Sequence, residues 1–582
     1  MNGKAVLVAL PIVFIFFVTL MFPGAASLAA LADGTNYYVD ATLGDDVNSG
    51  AIDQPWQTIS KVVGMSFAPG DRIHFKRGEV WDGEYLHISV NGAADAPIVF
   101  QAYGEGANPR IENASISISG AAYAVVRDFD VSGSGYAGIG IQQGSHHITV
   151  TRNVVHHNAS GIWLGNGVGM NNVVSDNEVY LNAGNGIAVD TVFCTPGNET
   201  IISGNRVYSN VWHGMELSAN YHIIEQNVVY DNGENPDGSD DIVGHSGIHF
   251  FSRYHANEED KGGDHNIVRY NIVYDNRDNE PSATDGNGIQ MDMWCDNNLV
   301  YDNIAYGNDG PGIISYGGSN NQIYNNTLFD NAQHLGWRLA QTQLMIASSD
   351  EVPAANNLIA NNIAYSQDAN AYAVFIEEDA RSRGNTFTHN LWYNESGGNL
   401  IGRGWDGNIN LAQWNAESWA DDFSDDPLFV NGASKDFQLR SSSPAIDMAN
   451  PASVPDDDFI TVSRPQGSAS DIGAYEYQFE PVYVPVLQIS PLDQQDVRIS
   501  WEHNDHCARY DIWRDGAPYF DPLGDATHTA IEAPWQWADD GVRGDPEVNY
   551  FYVARCAHYN QSVTSSNRVG VFDFALIAGA TP

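Results

Sequence analysis

Six short stretches in the middle of the chain begin with glycine and carry reactive side chains at a fixed offset. They are Gly161-Ile-Trp-Leu, Gly186-Ile-Ala-Val-Asp, Gly214-Met-Glu-Leu, Gly247-Ile-His-Phe, Gly288-Ile-Gln-Met-Asp and Gly312-Ile-Ile-Ser-Tyr. Successive side chains of an extended strand point to opposite faces. The first and third residues after each glycine are nearly all apolar: Ile187 and Val189, Met215 and Leu217, Ile248 and Phe250, Ile289 and Met291. These face a core, so the second and fourth face outward. The outward positions read as two columns: Trp163, Ala188, Glu216, His249, Gln290, Ile314, and Gly165, Asp190, Ser218, Phe251, Asp292, Tyr316. Stacked strands lie about 4.8 Å apart, a step comparable to one sugar ring. One face is thus expected to present Asp190, Glu216, His249, Gln290 and Asp292, flanked by Trp163, Phe251, Tyr316 and Trp294. Carboxylates and an imidazole beside aromatic platforms suit a glycan-processing groove. The plainer alternative is a solvated acidic face.

Two reactions fit these residue types. In a lyase, a base removes the proton beside a uronate carboxylate that Ca²⁺ or an Arg neutralises. His249 or Lys261 can be that base and Arg253 the neutraliser, while Asp240, Asp241, Asp260 and Asp264 offer hard oxygen ligands for Ca²⁺. In a hydrolase, one carboxyl is the acid and a second is the base or nucleophile. Glu216 and Asp292 are two coils apart, about 10 Å along the axis and slightly long for inversion. Asp190 and Glu216 are one coil apart. The turn Thr284-Asp-Gly-Asn-Gly-Ile289 can instead aim Asp285 into the groove, although Asp-Gly first reads as an ordinary turn. A third reading is a non-catalytic surface or adhesive protein. The favoured expectation is a lyase acting on a uronate polysaccharide, with Ca²⁺ as its cofactor.

What must position these residues is a repeat. Asn153-Val-Val-His-His-Asn158 is followed by Asn177-Glu-Val-Tyr-Leu-Asn182, Asn205-Arg-Val-Tyr-Ser-Asn210 and Asn227-Val-Val-Tyr-Asp-Asn232. Asn271-Ile-Val-Tyr-Asp-Asn276, Asn303-Ile-Ala-Tyr-Gly-Asn308 and Asn326-Thr-Leu-Phe-Asp-Asn331 continue it, and Asn362 and Asn390 open two further copies. The shortest spacings, 22 to 24 residues, are one coil of a β-solenoid. Asn tolerates the left-handed conformation of a sharp corner, and stacked amides can form a ladder. Two steps are longer: 44 residues from Asn227 to Asn271 and 32 from there to Asn303. Their excess falls at Asp231–Ser246, Tyr254–Asp264 and Arg277–Asp285, on the coils that carry His249 and Asp292. Loops on one face of a solenoid commonly build its binding site.

The flanks make the fold specific. Tyr38-Val-Asp40, Pro55-Trp-Gln-Thr-Ile59, Pro69-Gly-Asp-Arg-Ile73 and Pro97-Ile-Val-Phe100 resemble the opening of secreted pectate-lyase-like β-helix proteins. Ser443-Pro-Ala-Ile-Asp447 and Asp471-Ile-Gly-Ala-Tyr-Glu476 resemble the closing module of that superfamily. The resemblance spans residues 36 to about 478 and implies a right-handed parallel β-helix, an all-β fold. For the reaction it is broad, because the superfamily holds lyases, hydrolases, epimerases and adhesins. The acidic residues near Lys261 resemble the Lys or Arg base beside acidic Ca²⁺ ligands of β-helix lyases. No lyase motif matches residue by residue, so no catalytic role is carried over. After Pro481 and Pro485, Val497-Arg-Ile-Ser-Trp501, Tyr510-Asp-Ile-Trp-Arg514 and Tyr550-Phe-Tyr-Val553 alternate with period two and resemble a fibronectin type III sandwich. The expected domains are a signal peptide at 1–32, a cap and first coils at 33–110, the helix with its closing module at 111–478, and the sandwich at 479–582.

Bulk properties narrow the partners. With 26 Lys+Arg against 73 Asp+Glu the net charge is −47, which disfavours nucleic acid. Lys4, the apolar run Ala5–Phe22 and Ala30-Leu31-Ala32 read as an export signal, with an uncleaved anchor as the alternative. No later segment is long and apolar enough to span a bilayer. A secreted, extracellular or surface-bound monomer acting on a polysaccharide is expected. Of four cysteines, Cys507 and Cys556 are a plausible disulfide, whereas Cys194 and Cys295 sit too many coils apart. No CxxC is present to suggest a zinc site.

Overall fold

The computed structural model describes residues 34–234, 245–252, 262–278, 285–334, 341–349, 352–417, 419–478, 485–492, 496–503, 507–516, 526–530, 533–540, 550–558, 563–566 and 569–571. The predicted signal segment lies outside them. From Asn36 to Phe423 the chain winds as a right-handed parallel β-helix. One wall is a continuous 25-stranded sheet in which each strand pairs in parallel with its equivalent one coil on. The facing wall is a 13-stranded sheet that contains the glycine-led strands, with parallel pairing except at its last, antiparallel step. A short helix, Ile59–Val63, is N-capped by the Thr58 hydroxyl and buries Ile59 and Val62 at the first coils.

Asparagine fixes the corners. The Oδ1 of Asn177 accepts from both the backbone N–H and the side-chain amide of Asn153, each at 3.0 Å. The same double contact repeats through Asn205, Asn227, Asn271, Asn303, Asn326, Asn362 and Asn390. Asp422 ends this ladder, accepting from Asn390 with one oxygen and from the indoles of Trp392 and Trp414 with the other. A second ladder runs from Asn158 to Asn331 and ends on Gln343. The left-handed residue at each corner, however, is the one before the ladder Asn: Arg152, Asp176, Gln226, Tyr270 and Asp302 have φ between 48° and 57°. Asparagine is therefore selected for its amide, and whatever precedes it bears the backbone cost.

The glycine at the start of each strand has a steric cause. A Cβ on Gly247 would stand 2.4 Å from Val273 Cγ1 and 2.7 Å from the ladder amide of Asn276. Inside the coil the expected residues are fully buried, including Ile187, Met215, Ile248 and Ile289 at 0% exposure. Outside it, the tyrosines of the Asn motif stack from Tyr180 through Tyr208, Tyr230, Tyr274 and Tyr306 with ring centres 4.7–5.0 Å apart. The closing module packs on this wall. Its buried Arg464 pairs with Asp302 at 3.1 Å and Glu476 at 2.9 Å. Cys194 and Cys295 are free and buried, while Cys507 and Cys556 form a disulfide. The C-terminal region holds two small antiparallel sheets around Trp501, Tyr510 and Tyr552. No helix among the described residues is long and apolar enough to cross a membrane.

Candidate functional site

Backbone pairing puts Trp163, Ala188, Glu216, His249, Gln290 and Ile314 opposite one another on consecutive strands. Asp190 pairs with Ser218 in the second column. The ladder continues past the strand ends, since the Phe251 N–H donates to Leu217 O and the Asp292 N–H to Phe250 O. Both columns thus stand in the register that strand alternation predicts.

A third column escaped the sequence reading. The residue directly before the strand-opening glycine is polar in five consecutive coils from Ser160 on, the last four being Asn185, His213, Ser246 and Asn287. All four are buried, and their backbone carbonyls accept from the glycine one coil before. Their side chains hold the outward column in place. Asn185 donates to Glu216 Oε2 at 2.6 Å. Ser246 Oγ and Asn287 Nδ2 both donate to Gln290 Oε1, at 2.6 and 2.8 Å. With its oxygen engaged, Gln290 is left to offer its N–H₂ to Asp285. His213 Nδ1 accepts from the Ser246 N–H at 2.9 Å, which places its proton on Nε2, 3.2 Å from His245 Nδ1. Burial and the neighbouring imidazoles push His213 well below the usual histidine range, and His245 falls to about 4. The repeating polar residue before glycine was the available signal.

At the centre stand two aspartates and a histidine. His249 is stacked against His213 at 4.2 Å and against Phe251 at 5.6 Å, with 12% of its side chain exposed. Neither of its ring nitrogens has a hydrogen-bond partner among the described residues, and Nε2 lies 3.6 Å from Asp292 Oδ2. The Met293 N–H fixes the other oxygen, Asp292 Oδ1, at 2.8 Å. Asp285 approaches from the turn before the strand. Its backbone N–H donates to the buried Asp278 Oδ2 at 2.8 Å. Burial raises the Asp285 carboxyl, His249 offsets part of this, and Asp278 and Asp292 push it further, to about 6. The Asp-Gly turn therefore aims a side chain into the site as well as reversing the chain.

The remaining candidates divide. Gln290 sits on the predicted face but is only 6% exposed, because Ser246, Asn287 and Asp285 enclose it, so it positions groups instead of offering a surface. Tyr316 packs with Ile314, Met345, Ala347, Tyr372 and Phe375, an apolar cluster covering that end of the face. Asp190 accepts from the Trp163 indole at 3.2 Å and from Ser218 Oγ at 3.2 Å. Trp294 follows Asp292 in a turn with φ +64°, half-buried. Asp264 holds a turn, its Oδ1 accepting from the Asp296 N–H at 2.7 Å. Arg253, Lys261, Asp240, Asp241 and Asp260 lie outside the described residues. Among the described residues no group of three or more His, Cys, Asp or Glu is arranged to hold a metal ion.

A family model for the right-handed β-helix region matches residues 83–192, 114–258 and 190–412, together more than half of the chain. Over 122 residues the chain is 34% identical to a lacto-N-biosidase of Bifidobacterium longum subsp. longum, covering 20% of this chain. It spans 8% of the length of that curated relative. A solved GH136 lacto-N-biosidase from Eubacterium ramulus superposes with a TM-score of 0.48 at 18% identity, covering 61% of this chain and 67% of that one. The pectate lyase Pel9A superposes with a TM-score of 0.43 at 15% identity, over 77% of this chain and 98% of that one.

Proposed function

The chain belongs to the right-handed β-helix family, and from that premise we propose that it is a carbohydrate-active enzyme that hydrolyses glycosidic bonds. One observation carries the reading: a half-buried Asp285 raised to about 6, in the field of Asp292 and of His249, which lies 3.6 Å from Asp292. Glycoside hydrolysis needs two carboxyl groups whose environments differ, so that one holds its proton while the other acts charged. Asp285 is the acid, giving its proton to the glycosidic oxygen as the bond breaks. Asp292, aimed by the Met293 N–H and by His249, is the second carboxylate, which either takes the proton of the water that attacks the anomeric carbon or attacks that carbon itself before water releases the sugar. Gln290, itself held by Ser246 and Asn287, holds the Asp285 side chain in place. The lacto-N-biosidase likeness, short as it is, comes from an enzyme named for cleaving a glycoside. For the C-terminal pair of sheets we propose a fibronectin-like spacer, and for the whole chain an extracellular place of action.

The test is a panel of aryl glycosides of neutral sugars, lacto-N-bioside included, beside neutral and uronate polysaccharides. New reducing ends without the ultraviolet band of an unsaturated uronate are expected. Asp285→Asn and Asp292→Asn should each lower kcat/KM by about 10²–10⁴-fold. The unsaturated band, appearing on any substrate the chain cleaves, contradicts hydrolysis and returns the site to elimination.

A further inference from the structure

We propose that the cleft over Gly140 and Trp163 is a binding subsite for an uncharged pyranose, placed so that one glycan chain reaches from it to the Asp285–Asp292 pair. This deepens the hydrolase reading and rests on it for the position of the scissile bond. Trp163 lies in the same column as Glu216 and His249, one strand before Ala188. Its indole N–H donates to Asp190 Oδ2 at 3.2 Å, which fixes the ring. The ring lies down on Gly165, where a Cβ would come within 2.3 Å of Cζ2. On the preceding coil Gly140 faces it, and a Cβ there would meet only Trp163 Cε3, at 3.8 Å. Two residues without side chains thus leave an indole edge and face beside open space, a cleft of about 650 Å³.

The chemistry of the lining selects the ligand. Ser117, Gln142 and Asn166 form a chain of hydroxyl and amides, Asn166 Nδ2 donating to Gln142 Oε1 at 3.3 Å and Gln142 Nε2 to Ser117 Oγ at 3.2 Å. Tyr136 stands at the rim, 82% exposed. None of the side chains lining the cleft is charged, on a chain whose net charge is −47. A uronate brought here meets repulsion and no compensating cation in the lining. A neutral sugar can lay its apolar face on the indole and share hydroxyls with the amides.

Direction follows from the other end of the face. Beyond Gln290 the column continues as Ile314, Met345 and Phe375, 7%, 2% and 2% exposed, so the path is closed by an apolar cluster there. Towards Trp163 it is floored by Glu216 and Ala188. Four coil steps separate Gln290 from Trp163, about 19 Å, or roughly four pyranose units.

Calorimetric titration of the Asp285→Asn chain tests this, with neutral hexose and N-acetylhexosamine oligosaccharides of two to six units and oligogalacturonate as the charged comparison. Affinity should rise with length to four or five units for a neutral series. It should fall about tenfold in Trp163→Ala and in Gly140→Leu, which fills the cleft without touching the indole's hydrogen bond, and recover in Trp163→Phe. Equal affinity in Gly140→Leu, tighter binding of oligogalacturonate, or no binding of any neutral oligosaccharide overturns the proposal. Length-dependent binding lost in the cleft variants, with no hydrolysis by the parent chain, retires the hydrolase reading and keeps the subsite. Hydrolysis unaffected by the cleft variants at every length does the reverse.

Discussion

At the scale of single residues, Asp285 carries the chemistry and also a cost. Its carboxyl ionises near 6 in the folded chain against an ordinary 3.8. The fold therefore favours the protonated form, and that contribution is complete below the ordinary value and lost as pH rises through about 6. At pH 7.5 the ionised group opposes folding, on the order of 2 kcal/mol after discounting its partial exposure. Asp285→Asn should accordingly melt several degrees higher than the parent at pH 7.5, with the gain vanishing near pH 4, while its activity collapses. Thermal scans at the two pH values check this, and a variant equally or less stable at pH 7.5 contradicts it. From its neighbours alone Asp285 reads as a plain turn, because Asp-Gly is a turn signal wherever it occurs. Only the contact with Gln290 and the nearness of Asp278, seven residues back across a predicted insertion, distinguish it.

At the scale of elements, strand alternation was enough to assign the faces. Glu216 and His249 fall where counting from the glycines puts them, and the neighbouring coil adds Asp292. Alternation says nothing about what covers a face, which is why Gln290 was expected on a surface and is enclosed, while Tyr316 is half-buried against an apolar cluster. It was also blind to the buried Asn185, His213 and Ser246, whose partners are a coil away, and to Asn287, which bonds Gln290 three residues on. The ladder shows how much the polar interior contributes. Asn271 Oδ1 accepts from the backbone N–H and side-chain amide of Asn227, both at 3.0 Å and both buried. Asn271→Ala leaves two buried donors unpaired, each costing about 1–3 kcal/mol. A loss of at least about 2 kcal/mol is expected in denaturant titration. An unchanged midpoint contradicts the ladder's role.

At the scale of the whole molecule, a solenoid escapes the size limit of a single core but must close its ends. The closing module instead packs along the side wall, where the buried Arg464 ties it to the coil. Arg464, Asp302 and Glu476 have no exposed side-chain surface, and burial lifts Asp302 far above the carboxylate range despite the guanidinium. Replacing Arg464 by Met leaves its two fully buried carboxyl partners without their hydrogen-bond donor and should cost about 3–5 kcal/mol. A melting temperature within a degree of the parent contradicts that role. The repeat and its flanks were legible because nine copies of one motif average out local ambiguity. The site was legible only in part, because its acid comes from an irregular turn.

The central claim is most directly tested by the pH dependence of kcat/KM on whichever glycoside the parent chain cleaves. A proton donor with a carboxyl near 6 predicts activity that falls tenfold per pH unit above about 6, with a reducing end released at each turnover. That limb should be absent from the residual activity of Asp285→Asn. A rate that stays flat or climbs from pH 6 to 9, or a limb that survives in Asp285→Asn, contradicts the assignment of Asp285 as the acid.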